Sequence, residues 1–111
     1  MTEFDRESRG DSVVVVVRGR LDMVAAPRLR EELANVVGDG GSSVIVDLGE
    51  TTFVDSSGLG AVIAGLKAAR QAGGDLRICG ATGQVQVALE LTNLGKVFRS
   101  YASVDEALGA G

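Results

Sequence analysis

The stretch Phe53-Val54-Asp55-Ser56-Ser57-Gly58-Leu59-Gly60 stands between an apolar run, Val44-Ile45-Val46-Asp47-Leu48, and apolar residues at Leu59, Val62, Ile63, Leu66 and Ala69. The run reads as a strand, and the three-and-four spacing of the second set as one helix face. Asp55, Ser56 and Ser57 therefore fall where a strand hands over to a helix. Their side-chain oxygens suit that place because they accept hydrogen bonds from the unpaired N–H groups of the first turn. The same N–H groups, with the positive end of the helix dipole, favour an anion there. Read blandly, the three polar residues are caps and Gly58 and Gly60 are packing glycines. A second feature points past capping: Gly58 to Gly65 carries no charge, and its positions off the apolar stripe are Gly58, Gly60, Ala61, Ala64 and Gly65. Glycine costs a helix about 1 kcal/mol per residue, and a solvated helix face ordinarily carries charge. A smooth, uncharged surface beside a serine suits the close approach of another protein.

Working outward, Gly10-Asp11 signals a turn between a charged segment, Phe4 to Arg9, and the unbroken run Val13 to Val17. The first reads as an edge strand joined by a hairpin to the second, and the second as a central strand covered on both faces. Pro27 falls in a helix's first turn, where its missing N–H costs nothing. Leu29, Leu33, Val36 and Val37 then make a core-facing stripe, with Arg28, Arg30, Glu31 and Glu32 on the wet side. Gly73-Gly74 ends the helix that begins at the serines, and Leu76 to Cys79 is a further short strand. Residues 84 to 92 form a helix with Val85, Ala88 and Leu89 inward, leaving Val87 and Leu91 unaccounted for. Leu94, Val97, Phe98 and Tyr101 continue the core, and Ser103-Val104-Asp105-Glu106 is a capping box opening a last helix. The order is strand, strand, helix, strand, helix, strand, helix, helix. It predicts an α/β fold with a small mixed, largely parallel sheet of four to five strands and about four helices. Ligand sites in such sheets lie beyond the carboxyl ends of strands. Asp22 and the Asp55-Ser56-Ser57 turn both follow strands in that way.

Composition narrows the function. A chain of 111 residues, 45% hydrophobic, allows one domain with a real core. A net charge of −4 without a Lys/Arg cluster argues against nucleic acid and anionic membranes as partners, though not against a protein. The longest apolar run is far too short to span a bilayer, and the single cysteine, Cys79, fits a reducing compartment, so a cytoplasmic protein is expected. Cys79 reads as a small buried residue. Histidine is absent, which removes Ser-His-Asp and Cys-His machinery and histidine metal sites. Three enzyme motifs also fail. A nucleophile elbow needs glycines two positions either side of the serine, but Val54 and Asp55 stand there. In the Walker-like Gly60 to Lys67, Leu66 separates Gly65 from Lys67 and Ala68 replaces the metal-binding hydroxyl, while Gly58-Leu59-Gly60 reaches Ile63 where a dinucleotide fingerprint wants glycine or alanine. No catalytic residues, cofactor or metal are expected.

Asp55-Ser56-Ser57-Gly58-Leu59-Gly60, preceded by a strand ending in Asp47-Leu48, resembles the signature of STAS domains, the family of the bacterial anti-sigma factor antagonists. Gly19-Arg20-Leu21-Asp22 with Ala26-Pro27-Arg28-Leu29-Arg30 is similar to the family's first strand-to-helix crossing. Leu89 to Phe98 and Ser103 to Leu108 are similar to its last two helices. The match spans essentially the whole chain, so residues 1–111 are expected to be a single STAS domain. The resemblance implies that Ser57 is the phosphorylated serine, that the kinase is the anti-sigma factor itself, and that a metal-dependent serine phosphatase reverses the modification. It implies further that the unmodified protein binds the anti-sigma factor and frees the sigma factor. Asp22 matches a family aspartate near the modified serine. The partner-binding set expected on these grounds is Asp22, Asp55, Ser56, Ser57, Gly58, Leu59 and Ala61. One departure is visible: Ala25 stands where many relatives carry a Thr or Ser cap, a loss of about 1 kcal/mol. The competing reading is a non-switching STAS module of a stress-signalling scaffold or lipid-transport complex, in which the turn is structural. The sequence carries no membrane or sensor segment of the kind those assemblies bring, which favours the antagonist.

Overall fold

The computed structural model describes residues 2–110, and its sheet is built on one long strand, β2 (Ser12–Leu21). Five consecutive valines favour extended backbone there because branching at Cβ restricts χ1. β1 (Glu3–Arg9) pairs antiparallel with β2 across the two-residue turn Gly10-Asp11, giving the expected hairpin. β3 (Ser43–Asp47) runs parallel to the first half of β2, from Ser12 to Val16. Beyond an irregularity at Gly19 and Arg20, the second half pairs in parallel with β4 (Thr51–Val54). β5 (Asp75–Cys79) lies parallel to β3, and β6 (Arg99–Tyr101) parallel to β5. The order is β1-β2-β3-β5-β6, with β4 attached at the far end of β2. The helices are α1 (Ala26–Gly38), α2 (Ser56–Gln71), α3 (Gly83–Leu91) and α4 (Val104–Gly109), with a 3₁₀ turn at Leu94–Lys96.

Alternate residues of the strands face two unequal cores. On one face Val15, Val17, Val46 and Ile78 pack with Leu29 and Leu33 of α1 and with Leu59, Val62 and Leu66 of α2. On the other, Val14, Ile45 and Cys79 meet Ala107 of α4. The valine run is thus covered on both sides, as its lack of alternation requires. Each fully buried Val or Leu contributes about 1.5–3 kcal/mol of transfer free energy. Burial also pushes the Cys79 thiol up to about 12, with nearby Asp47 adding to the rise, so it stays protonated and apolar. The cap at the start of α4 forms, Ser103 Oγ accepting from the Glu106 N–H at 3.2 Å, but the reciprocal arm of the expected box falls one residue early: Glu106 Oε2 accepts from the Ala102 N–H at 3.2 Å.

The fold class is as expected, but the sheet has six strands rather than four or five. β4 and β6 are short, four and three residues, and neither alternates between apolar and polar. Their extended form is set by pairing with β2 and β5 rather than by local preference. One smaller expectation changes with them, and Leu91, which the helical pattern left unaccounted for, finds no place in the core. Val97 is exposed, only Phe98 of that segment being fully buried, and Leu91 on α3 is 79% exposed.

α1 and α2 lie side by side because Gly65 admits it. A Cβ at that position would stand 2.5 Å from Leu33 Cδ1 and 3.1 Å from Leu76 Cδ1. The glycine thus sets the spacing of the two helices that flank the serine turn.

Candidate functional site

Two parallel strands end together, and each is followed by an aspartate. Leu21 of β2 is in register with Val54 of β4, so Asp22 and Asp55 begin neighbouring turns. The Asp55 N–H still reaches back to the Leu21 carbonyl at 3.4 Å. Asp55 itself is extended, with φ −115° and ψ −176°, which aims its side chain along the new helix. Its Oδ1 accepts from the Gly58 N–H at 2.9 Å, and its carbonyl from the Leu59 N–H at 3.0 Å. This is an N-cap as the sequence predicted, and it leaves Ser56 and Ser57 in the first turn of α2, both exposed. Their own N–H groups lack intrahelical acceptors by virtue of that position.

Asp22 organises the other turn. Its Oδ1 accepts from the N–H groups of Val24 and Ala25, both at 3.1 Å, and its carbonyl from Ala26 at 2.8 Å. Ala25 supplies no side-chain cap, as its methyl dictates, but Asp22 does equivalent work one turn earlier. The bond from Ala25, then that from Val24 and the charge of Arg20, hold the Asp22 carboxyl below its ordinary value against an opposing desolvation. The folded-state pKa therefore lies beneath the unfolded value of about 3.9, and between the two the unfolded chain binds more protons. The stability Asp22 lends is present above the unfolded pKa and lost as pH falls through the folded one. Asp22→Asn should lower the urea midpoint at pH 6, and the deficit should shrink as pH falls below the unfolded carboxyl value of about 3.9. A difference between the two proteins that does not change with pH would contradict this account.

A residue the sequence reading passed over holds the serine turn from behind. Gln84, in the first turn of α3, accepts from the Val54 N–H at 2.8 Å and donates to the Val54 carbonyl at 2.9 Å. Its amide stands in for a neighbouring strand at the open side of β4, one residue before Asp55. Gln84→Ala should cost about 1–2 kcal/mol for two part-buried bonds and speed amide exchange from Val54 through Ser57. Exchange at those amides unchanged from wild type would remove Gln84 from the turn's support.

The exposed surface around the serines is a groove of about 700 Å³ between α1 and α2. Met23, Ala26, Pro27, Arg30, Glu31 and Ala34 line it from the α1 side, and Ser56, Ser57 and Gly60 from the other. Met23 and Val24, in the turn leading into α1, are 71% and 76% exposed and place two adjacent apolar side chains beside the groove. The α1 members recur at spacings of three and four, a helical signal, but the sequence shows it only as part of a wet face. Asp22 does not line this groove; its carboxylate borders a neighbouring recess with Arg20 and Arg28.

Three members of the expected contact set point elsewhere. Leu59 and Ala61 are buried, at 2% and 0% exposure, and pack into the core beneath the turn. Gly58 is buried too, facing Leu21. Their direct contact with a partner is corrected to support of the turn. The helical period carries 58, 59 and 61 inward and brings 56, 57 and 60 to the groove.

A mixed sheet with a capped serine turn at the ends of two parallel strands, opening on a shallow, largely apolar groove, defines a small α/β domain. Residues 3–107 match the family model described as STAS domain. An anti-sigma-B factor antagonist of Staphylococcus aureus is 35% identical over 80 residues, 72% of this chain and 74% of that protein. The crystal structure of an anti-sigma factor antagonist from Mycobacterium paratuberculosis superposes with a TM-score of 0.90 at 29% identity, over 99% of this chain and 93% of its own. The Bacillus cell fate determinant SpoIIAA, solved in its phosphorylated form, shares the fold with a TM-score of 0.74 at 22% identity, over 97% and 98% of the two chains. The chain belongs to the STAS domain family, and its relatives include anti-sigma factor antagonists. Among the described residues no helix is long and apolar enough to cross a membrane.

Proposed function

We propose that this chain is an anti-sigma factor antagonist of the cytoplasm, switched by phosphorylation of Ser57. The unphosphorylated form binds an anti-sigma factor that is also a serine kinase and so frees the sigma factor. In the kinase step the Ser57 Oγ–phosphorus bond forms as the γ-phosphoryl bond of ATP breaks, ADP leaves and the hydroxyl proton is lost. A metal-dependent serine phosphatase restores the hydroxyl by hydrolysis. The observation that carries the reading is the placement of Ser57: exposed in the first turn of α2, at the wall of an apolar groove, on a turn fixed by Asp55. Ser56, Ser57, Met23 and the groove form the contact surface, with Asp22, Asp55 and Gly58 shaping it from behind. The kinship with anti-sigma factor antagonists supports the same role.

The test is intact-mass spectrometry with peptide mapping after incubation with ATP and purified candidate anti-sigma kinases. A single phosphate on Ser57 is the expected result. Absence of both modification and binding across the candidates would replace this reading with a non-switching STAS module.

A further inference from the structure

The groove holds one basic side chain among its described lining residues, Arg30, and that side chain is uncommitted. Arg6, Arg9, Arg18, Arg20 and Arg70 each sit against a carboxylate. Arg28 and Arg77 donate to backbone carbonyls, and Arg28 also covers the Phe4 ring. Arg30 makes no ion pair or hydrogen bond among the described residues, although Glu31 follows it. Its position is specific: Arg30 Nη2 stands 3.9 Å from where a Cβ at residue 60 would be. Residue 60 is three positions after Ser57, and Cβ atoms so spaced on a helix lie about 5–6 Å apart. The guanidinium therefore lies within about 10 Å of the Ser57 Cβ, facing it across the groove, at the end of a flexible stem with no bond to break.

Resting on the reading of Ser57 as the phosphorylated residue, we infer that Arg30 receives the Ser57 phosphate in an intramolecular guanidinium–phosphate pair. A phosphoryl oxygen lies three bonds beyond the serine Cβ, and the guanidinium fork matches a phosphate with two parallel N–H···O bonds. Before modification Arg30 is free to meet an acidic group of the partner. After it, the groove's basic side chain is turned onto its own chain. Phosphorylation thus adds a negative group to the surface and withdraws the positive one. The other charges near the serine turn are Glu31, Asp55 and Asp22, which oppose the phosphate, and Arg20, which already sits against Asp22 at 3.7 Å, so Arg30 is the basic side chain left to offset it.

The measurement is a ³¹P NMR titration of the full chain carrying phosphoserine at position 57, inserted during translation at an amber codon so that no kinase is needed. The pair holds the second phosphate ionisation below that of Arg30→Gln by about half a unit, because a neighbouring cation favours the dianion. Helix dipole and acidic neighbours are common to both proteins and cancel in the difference. Arg28→Gln removes the same charge two residues away and should leave the titration at the wild-type value. Equal midpoints for wild type and Arg30→Gln overturn the inference, as does a shift from Arg28→Gln of the same size. Failure of every kinase to modify wild-type Ser57 would sink the proposed switch without altering this titration, so the two failures are distinguishable.

Discussion

Gly58→Ala should destabilise the protein by about 3 kcal/mol, and Gly60→Ala, two residues along the same helix, should stabilise it by up to about 1 kcal/mol. The opposite signs follow from what each new methyl meets. In an unhindered helix, alanine is favoured over glycine by about 1 kcal/mol, the loss of backbone freedom being smaller. At residue 60 the nearest atom to an added Cβ is Arg30 Nη2 at 3.9 Å, an ordinary contact with the end of a movable side chain. Propensity decides there. At residue 58 the Cβ would lie 2.2 Å from the Leu21 carbonyl oxygen, 2.8 Å from Leu21 Cγ and 3.0 Å from Val54 Cγ2. No rotamer change relieves a clash with backbone, and Leu21 is fixed at the end of β2 by its pairing with β4. α2 must therefore move away from the strand ends, straining the Asp55–Gly58 cap. Overpacking of this kind costs about 1–3 kcal/mol, occasionally more, and a backbone clash belongs at the upper end. Urea denaturation of the two variants beside wild type reads both effects, provided the m-value stays constant. A Gly58→Ala protein as stable as wild type would mean that α2 does not sit where the strand ends hold it.

The same glycine shows what local sequence can and cannot say about this molecule. Asp55 as a cap, the valine run as a doubly covered strand and the cap at Ser103 are written in neighbouring residues, because each depends on bonds or contacts within a few positions. β4 is not written that way. Four residues, Thr51–Val54, are extended because β2 runs on past β3 and because Gln84, thirty residues later, pairs with their end. The groove escaped for a related reason. It exists because Gly65 lets α1 approach α2, and its α1 wall is indistinguishable from any solvated helix face until that approach is known. The assignment of Gly58, Leu59 and Ala61 to a partner surface shows the reverse error. A run of small, uncharged residues signals close approach, but at Gly58 and Gly65 the approaching group is the protein's own backbone and core.

Phosphate at Ser57 should weaken binding of the partner by about a hundredfold to several thousandfold while leaving the stability of the domain essentially unchanged. The two halves of this expectation come from the same place in the structure. Within the folded domain the modified side chain stays in water at the first turn of α2, where unpaired N–H groups and the positive end of the dipole favour negative charge by about 0.3–1 kcal/mol. No buried contact is disturbed, because Ser57 makes none on which the core depends. In a complex seated on the groove the situation inverts. A group carrying about −1.5 to −2 charges would be enclosed beside the apolar surface of Met23, Ala26 and Pro27 and near Asp55. Arg30 offsets one unit of it; the remaining enclosed charge, without a partner, costs roughly 3–5 kcal/mol, and 1.4 kcal/mol is one decade in affinity. Ser57→Asp carries a single charge and less bulk, so it should fall at the low end, about a hundredfold, with a urea midpoint equal to or slightly above wild type. Titration calorimetry against the partner, paired with denaturation of the same samples, separates the two quantities. Unchanged affinity in a well-folded Ser57→Asp protein would show that the partner does not cover Ser57. Lost affinity accompanied by lost stability would show that the substitution acts by disrupting the turn rather than by presenting charge to the partner.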